Sequence, residues 1–483
     1  MKKLIIIFSI IIGLSFIYSS CNDSFLEKVP LNEASDASFY TKESDAIAAV
    51  NSVYDVLQWI RLWKYEITVI GNQYNTDLGI PRPNQFQADF QPTNERRLSM
   101  WSYIYTGVNR ANLALEKIPA IEMDESLKAR LLGEVNFLRG LYYFTLATHF
   151  GDVIIRTEST TISNLEMAKS PKSEVIDFVR NELKAAIDVL PERSAQESSD
   201  LGRATKGAAL ALLGKVELYQ NNFSEAANYF KQVIDSKEYV LNEEYAPQFM
   251  AGGDNTSESI FEVQHVTNAG GWANDSEGSW MSGWNSSTQQ GINFGFGMNI
   301  QPNESFVSAF EDGDKRKDYI IVEEGEDYFG VPFNSANSIT DYGLRKYVIP
   351  AELEAGGAGD SGINFHLIRF ADVLLMYAEA LNEVNNGPTG DAEAAINLVR
   401  ERAELKELPT GLSKEAFFEA IVKERRIELF LENHRTWDLI RWGLAEQELG
   451  EFNGFVAGKH ETLPIPQSEI DANSLLVQNP NYQ

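Results

Sequence analysis

Ser361 is the first residue to test for covalent chemistry, because Gly359-Asp360-Ser361-Gly362 has the form of a nucleophile segment. A serine used that way needs a histidine base and an oxyanion hole. The segment continues a glycine run, Gly356-Gly357-Ala358, whose composition predicts a flexible surface turn instead. Metal chemistry needs clustered ligands, yet His149, His265, His366, His434 and His460 are scattered and show no His-x-x-x-His spacing. Each reads as a hydrogen-bonded structural residue. Asp312 and Asp314 open something like a calcium loop, but Arg316 takes the third acidic place and Lys317 the glycine. Glycoside hydrolysis requires two carboxylates at a set separation, and among 70 acidic residues such pairs arise by chance. Phosphate-cradling glycine motifs are absent. The expectation is a protein with no catalytic residues, no bound metal and no cofactor.

Composition narrows the partners. Lys+Arg number 41 against 70 Asp+Glu, a formal charge of -29. Such a surface repels phosphate backbones, so nucleic acid is excluded as the expected ligand. The 483 residues, 43% of them apolar, can bury a large core as one extended domain or two. Lys2 and Lys3 precede an apolar run from Leu4 to Ile17, followed by Tyr18, Ser19, Ser20 and Cys21. This is the order of a secretory signal peptide over residues 1–20, and the run is too short to span a bilayer well. Removing it takes the charge to -31. Cys21 is the only cysteine, so no intramolecular disulfide can form. Its place after small residues predicts a lipidated first residue, with residues 21–40 as a tether and 41–483 as the body; the plainer reading is a lone thiol in an ordinary leader.

The body is patterned mostly as helix. Ala46, Val50, Val53, Tyr54 and Leu57 form one apolar stripe, and Trp101, Ile104, Val108, Leu115 and Ile118 another. A helix is predicted from Glu125 to Phe150, stopped by Gly151, and two more over residues 172–190 and 204–220. Leu210, Leu213, Gly214, Ala226, Phe230 and Val233 have the spacing of a tetratricopeptide-like hairpin, with Glu217 where an aromatic is usual. A second pair runs from Arg369 to Glu404 around Leu374, Ala378, Ala392 and Ile396, turning at Asn385-Asn386-Gly387-Pro388. Stacked pairs bury a core that no single pair could bury alone. Residues 71–94 and about 240–365 break the pattern. The first is loop-like, with prolines and asparagines; the second is a Gly-, Asn- and Ser-rich lobe with short strands such as Ile260 to Val263.

Near the C-terminus, Lys423 to Gly443 combines charge with apolar bulk. Phe417, Ile421, Ile427, Phe430 and Leu431 predict a helix stripe, and Arg425, Arg426, Glu428 and Glu432 are spaced for pairing along that helix. Asn433 reads as its stop, with a short helix carrying Trp437, Ile440 and Arg441 beyond it, ended by Gly443. Arg425-Arg426-Ile427-Glu428-Leu429, His434-Arg435 and the run from Trp437 to Gly443 resemble the C-terminal signature of the RagB/SusD family of nutrient-binding outer-membrane lipoproteins. The run from Ile368 to Ala380, led by Arg369, Phe310 with Asp314 and Arg316, Leu463-Pro464-Ile465-Pro466, and Asn479-Pro480 are similar to further family segments. The resemblance implies a mainly α fold, a tetratricopeptide-like helical-repeat body with an inserted loop-rich lobe. It also implies a non-catalytic protein, lipid-anchored in the outer membrane and facing the exterior. Such a protein captures oligosaccharide or polysaccharide and delivers it to a SusC-like TonB-dependent barrel transporter. A peptide ligand within the same family, a helical-repeat scaffold for protein partners and, last, a glycoside hydrolase are the alternatives.

If the ligand is a sugar, its flat apolar faces and flanking hydroxyls call for exposed aromatic planes beside amides and carboxylates. Two stretches have that composition. Trp272, Trp280 and Trp284 stand with Asn274, Asp275 and Asn285; Tyr74, Asp77, Arg82 and Phe86 lie in the early loop. The competing reading makes the tryptophans pins that hold an irregular lobe to the helical body.

Overall fold

A computed structural model describes residues 39–64, 91–94, 98–267, 277–282, 288–289, 292–293, 301–338, 340–349 and 360–482. The sequence stripes become helices α1 (Glu43–Asp55), α2 (Met100–Lys117), α3 (Glu125–Phe150), α4 (Lys172–Val189), α5 (Lys206–Tyr219) and α6 (Phe223–Ser236). After the lobe come α7 (Phe370–Val384), α8 (Gly390–Arg402), α9 (Lys414–Glu428) and α10 (Arg435–Arg441). Each of the first six packs on the next in chain order; α6 then packs on α7, and α7 on α8 and α9. The stack therefore continues across the residues that separate α6 from α7.

Local chemistry explains the element ends. The Asp124 carboxylate accepts the Leu127 amide at 2.9 Å at the start of α3, and Gly151 ends it at φ +76°. Thr205 caps α5 through Ala208 at 3.1 Å. Inside the α5–α6 hairpin, a Cβ at Gly214 would lie 2.5 Å from the Phe230 ring, so glycine is what lets these helices close. Glu217 lacks the aromatic's packing role and instead receives the Arg180 guanidinium at 2.7 Å. Residues Gly207 to Leu218 are all buried, so α5 is enclosed on every face, beyond the single stripe its spacing predicts.

Strands β1 (Ser259–Val263) and β2 (Phe365–Arg369) pair antiparallel, joining the two ends of the lobe ahead of α7. Three more two-stranded pairs of two residues each occur among the described residues. Two sequence expectations are corrected here. Asp360 and Ser361 are 2% and 0% exposed, and Ser361 forms a backbone bridge with Ser279. Glycine richness marked them as a surface turn, but Gly278 lets the chain press so close that a Cβ there would meet Asp360. Helix α9 stops at Glu428, and Phe430, Leu431 and Glu432 belong to the turn after it, where Leu431 and Asn433 have φ of +65° and +62°. Phe430 stacks on Phe306 at 4.0 Å instead of extending the α9 stripe.

Candidate functional site

The residues of the C-terminal signature form a closed charge network. Arg369 is fully buried; its Nε donates to Glu432 and its NH1 to Glu258, both at 2.7 Å, and NH1 also reaches Glu428. Glu428 further accepts from Arg316 at 3.0 Å and from Arg402, while Lys346 Nζ meets Glu432 at 2.7 Å. Burial pushes the Glu432 carboxyl up, but Arg369 and Lys346 outweigh it and hold it at about 2. Alongside, Arg425 bridges Asp438 and Asp372 at 2.8 Å each, and Lys215 lies 3.3 Å from Asp372 and 3.0 Å from His434 Nδ1. The spacing-based expectation of pairing within one helix is thus corrected. Arg425, Glu428 and Glu432 reach across to β2, α7, α8 and α10, because their side chains point into the seam between these elements.

Arg316, Arg369, Glu258 and Glu428 are fully enclosed, so they cannot exchange protons with a substrate, which a general acid or base must do. The histidines are likewise structural. His149 Nδ1 lies 2.8 Å from the Thr145 carbonyl, and burial lowers the ring to about 4. His366 sits between Tyr347 and Glu262 at 3.0 and 3.1 Å. Asp314 holds Arg316 through both carboxylate oxygens, at 2.9 and 2.8 Å, in place of a cation. Among the described residues no group of three or more His, Cys, Asp or Glu side chains is placed to hold a metal ion.

Trp280 corrects its expected role as an exposed plane. It is 6% exposed, with Lys64 Nζ 5.6 Å from its ring centroid, so here it pins the lobe to the body. Trp272, Asn274, Asp275, Trp284, Asn285, Tyr74, Asp77, Arg82, Phe86 and Cys21 lie outside the described residues. Their segments nonetheless have described roots. Lys64 is the last described residue before the first stretch, and on either side of residues 268–276 Val266 N donates to the Glu277 carbonyl at 3.1 Å. His265 Nδ1 approaches the same carbonyl at 3.0 Å. The Lys64–Trp280 contact therefore brings the roots of both stretches selected by composition together.

Glu277 at the second root also lines an open cleft of about 600 Å³. It is lined by Asn51, Ser52, Asp55 and Gln58 from α1 and the turn after it, Arg110 from α2, Leu201 to Arg203, the end of β1 with Gln264, and Glu277. Arg110 NH1 donates to Asp55 at 2.7 Å and to the Ser52 carbonyl at 2.6 Å. Its guanidinium also covers the Trp59 ring at 4.9 Å. Arg203 donates to Glu134 at 2.8 Å and to Asn51 Oδ1 at 2.6 Å. Gly202, at φ +95°, approaches so near to Gln264 that a Cβ would lie 2.6 Å from its side chain. Gln58 Nε2 donates to the Gln264 carbonyl and ties α1 to the strand exit. Sequence reasoning missed this cleft, since its polar residues lie on five separated stretches with no spacing that links them.

Residues 257–482 match the family model described as the SusD family, and residues 24–218 match one described as starch-binding associating with outer membrane. A SusD-like protein of Formosa agariphila is 26% identical, the match covering 98% of each chain. The solved structure of a laminarin-binding SusD-like protein is 30% identical with a TM-score of 0.80, covering 92% of this chain and 100% of that one. A SusD homolog from Bacteroides thetaiotaomicron is similar too, at 26% identity and TM-score 0.82, over 93% of this chain and 99% of the other.

Proposed function

The chain belongs to the SusD/RagB family of non-catalytic, glycan-binding outer-membrane proteins, and from that premise we propose that it captures oligosaccharides at the cell exterior and passes them to a TonB-dependent barrel transporter. The observation that carries the site is the meeting of the two loop roots, Lys64 against Trp280, with Glu277 at the second root lining the open cleft. Trp272 and Trp284 supply the stacking planes in this reading, with Asn274, Asp275, Asn285, Tyr74, Asp77, Arg82 and Phe86 as hydroxyl partners and flanking surface. Similarity to a protein described as laminarin-binding supports a carbohydrate ligand over a peptide. Cys21 carries the lipid anchor, since several acyl chains on one residue hold a protein to a membrane where a single chain does not.

The test uses the full chain in its own membrane. The parent protein stays in the outer-membrane fraction, is cut by protease added to intact cells, and purifies with a large barrel protein. Cys21→Ser is released from the membrane. Retention of that variant at the parent level contradicts the anchor, and a parent that never accompanies a barrel contradicts delivery.

A further inference from the structure

The cleft between α1, α2 and the exit of β1 has a lining whose charge and hydrogen-bonding capacity suit one kind of ligand. Its two guanidiniums are already committed. Arg110 is paired with Asp55 at 2.7 Å, and Arg203 with Glu134 at 2.8 Å and Asp200 at 3.3 Å. Two solvent-accessible acidic residues line the same space, Asp55 with its side chain 40% exposed and the exposed Glu277, while the Glu262 carboxylate is buried against His366. An anionic group entering here must displace existing ion pairs while facing Glu277 and Asp55. It must also approach a chain of net charge -31 once the leader is gone. A hydroxyl both donates and accepts, so a lining of carboxylates and side-chain amides satisfies it without moving a charge. The volume of about 600 Å³ is within the range that holds a small oligosaccharide segment.

We propose that this cleft is a carbohydrate subsite that takes an uncharged segment of the glycan, with the Asn51 and Gln58 amides and the Asp55 and Glu277 carboxylates facing its hydroxyls. The inference rests on the glycan-binding reading above and goes beyond it in naming both the place and the charge class. Ala48 is exposed on α1 at the cleft wall and makes no core contact, so Ala48→Trp fills the space without disturbing the stack.

The test titrates the leaderless protein against neutral glycans (starch, laminarin, xylan, mannan) and anionic ones (alginate, polygalacturonate, carrageenan), and follows melting temperature in parallel. The expected result is binding of a neutral glycan that is insensitive to salt between 50 and 300 mM, weakened by at least about tenfold in Ala48→Trp at unchanged melting temperature. Asn51→Ala, a milder change, weakens it in the same direction. Selective binding of an anionic glycan overturns the uncharged assignment while leaving the family reading intact. Binding of a neutral glycan at parental affinity by Ala48→Trp overturns the subsite. Binding of no glycan overturns the reading on which both rest.

Discussion

Arg369 and Arg110 both hold carboxylates, but their surroundings differ. The Arg369 side chain and its partners Glu258, Glu428 and Glu432 are all 0% exposed, whereas Arg110 and Asp55 are 31% and 40% exposed. In the first case each charge depends on the others for what water would have supplied, and the geometry must be kept for the fold to stand. In the second, solvent shares the work, and the pair contributes little to stability. The same residue types therefore mark a structural keystone in one region and an adaptable surface in the other, and burial decides which. The family signature lies in the keystone. The cleft and loops proposed to recognise the ligand lie outside that signature.

The comparison breaks most visibly at Arg369. Arg369→Ala leaves three buried carboxylates short of a partner, and a loss of about 3–5 kcal/mol of stability is expected, read by denaturant unfolding. Arg110→Ala, by contrast, is expected to cost about 1 kcal/mol or less. Equal losses in the two variants would dissolve the distinction.

Acid sharpens it further. Burial lowers His149, His265 and His434 from 6.5 to about 4. Their folded state prefers the neutral ring, so the stability they contribute is present in full above pH 6.5 and is lost as pH falls from 6.5 towards 4. Glu262 and Glu432 are held at about 2 against a usual 4.5, so theirs is present above pH 4.5 and is lost as pH falls towards 2. The melting temperature should fall between pH 7 and pH 5, and more steeply below pH 4.5. A flat profile from pH 7 to pH 5 would contradict the histidine assignment.

Much of the fold was legible because helix periodicity is a local property. The helix predicted over Glu125 to Phe150 has those bounds, and the Gly214 and Phe230 pair meets as the repeat spacing implies. What spacing could not reveal is which element a charged side chain crosses to. Arg425, Glu428 and Glu432 have near neighbours of opposite sign in sequence, yet their partners are Asp372, Asp438, Arg316, Arg402, Lys346 and Arg369, brought in by tertiary packing. Ser361 misled for a related reason, since a glycine-rich stretch permits close packing as readily as it permits a free turn. Trp280 had the composition of a ligand platform and the burial of a pin. Cleft residues such as Asn51 and Arg110 carry no sequence signal at all, because each is an ordinary polar position on a helix until the fold gathers them.

The most direct test measures glycan affinity and melting temperature together on Arg369→Ala, Trp280→Ala, Trp272→Ala and Trp284→Ala. Arg369→Ala and Trp280→Ala are expected to lower the melting temperature, and the still-folded fraction of Arg369→Ala to bind normally. Trp272→Ala or Trp284→Ala is expected to lose most binding at an unchanged melting temperature. If binding falls in all four only in proportion to unfolding, or survives in both Trp272→Ala and Trp284→Ala, the division between a structural keystone and a recognition surface is contradicted.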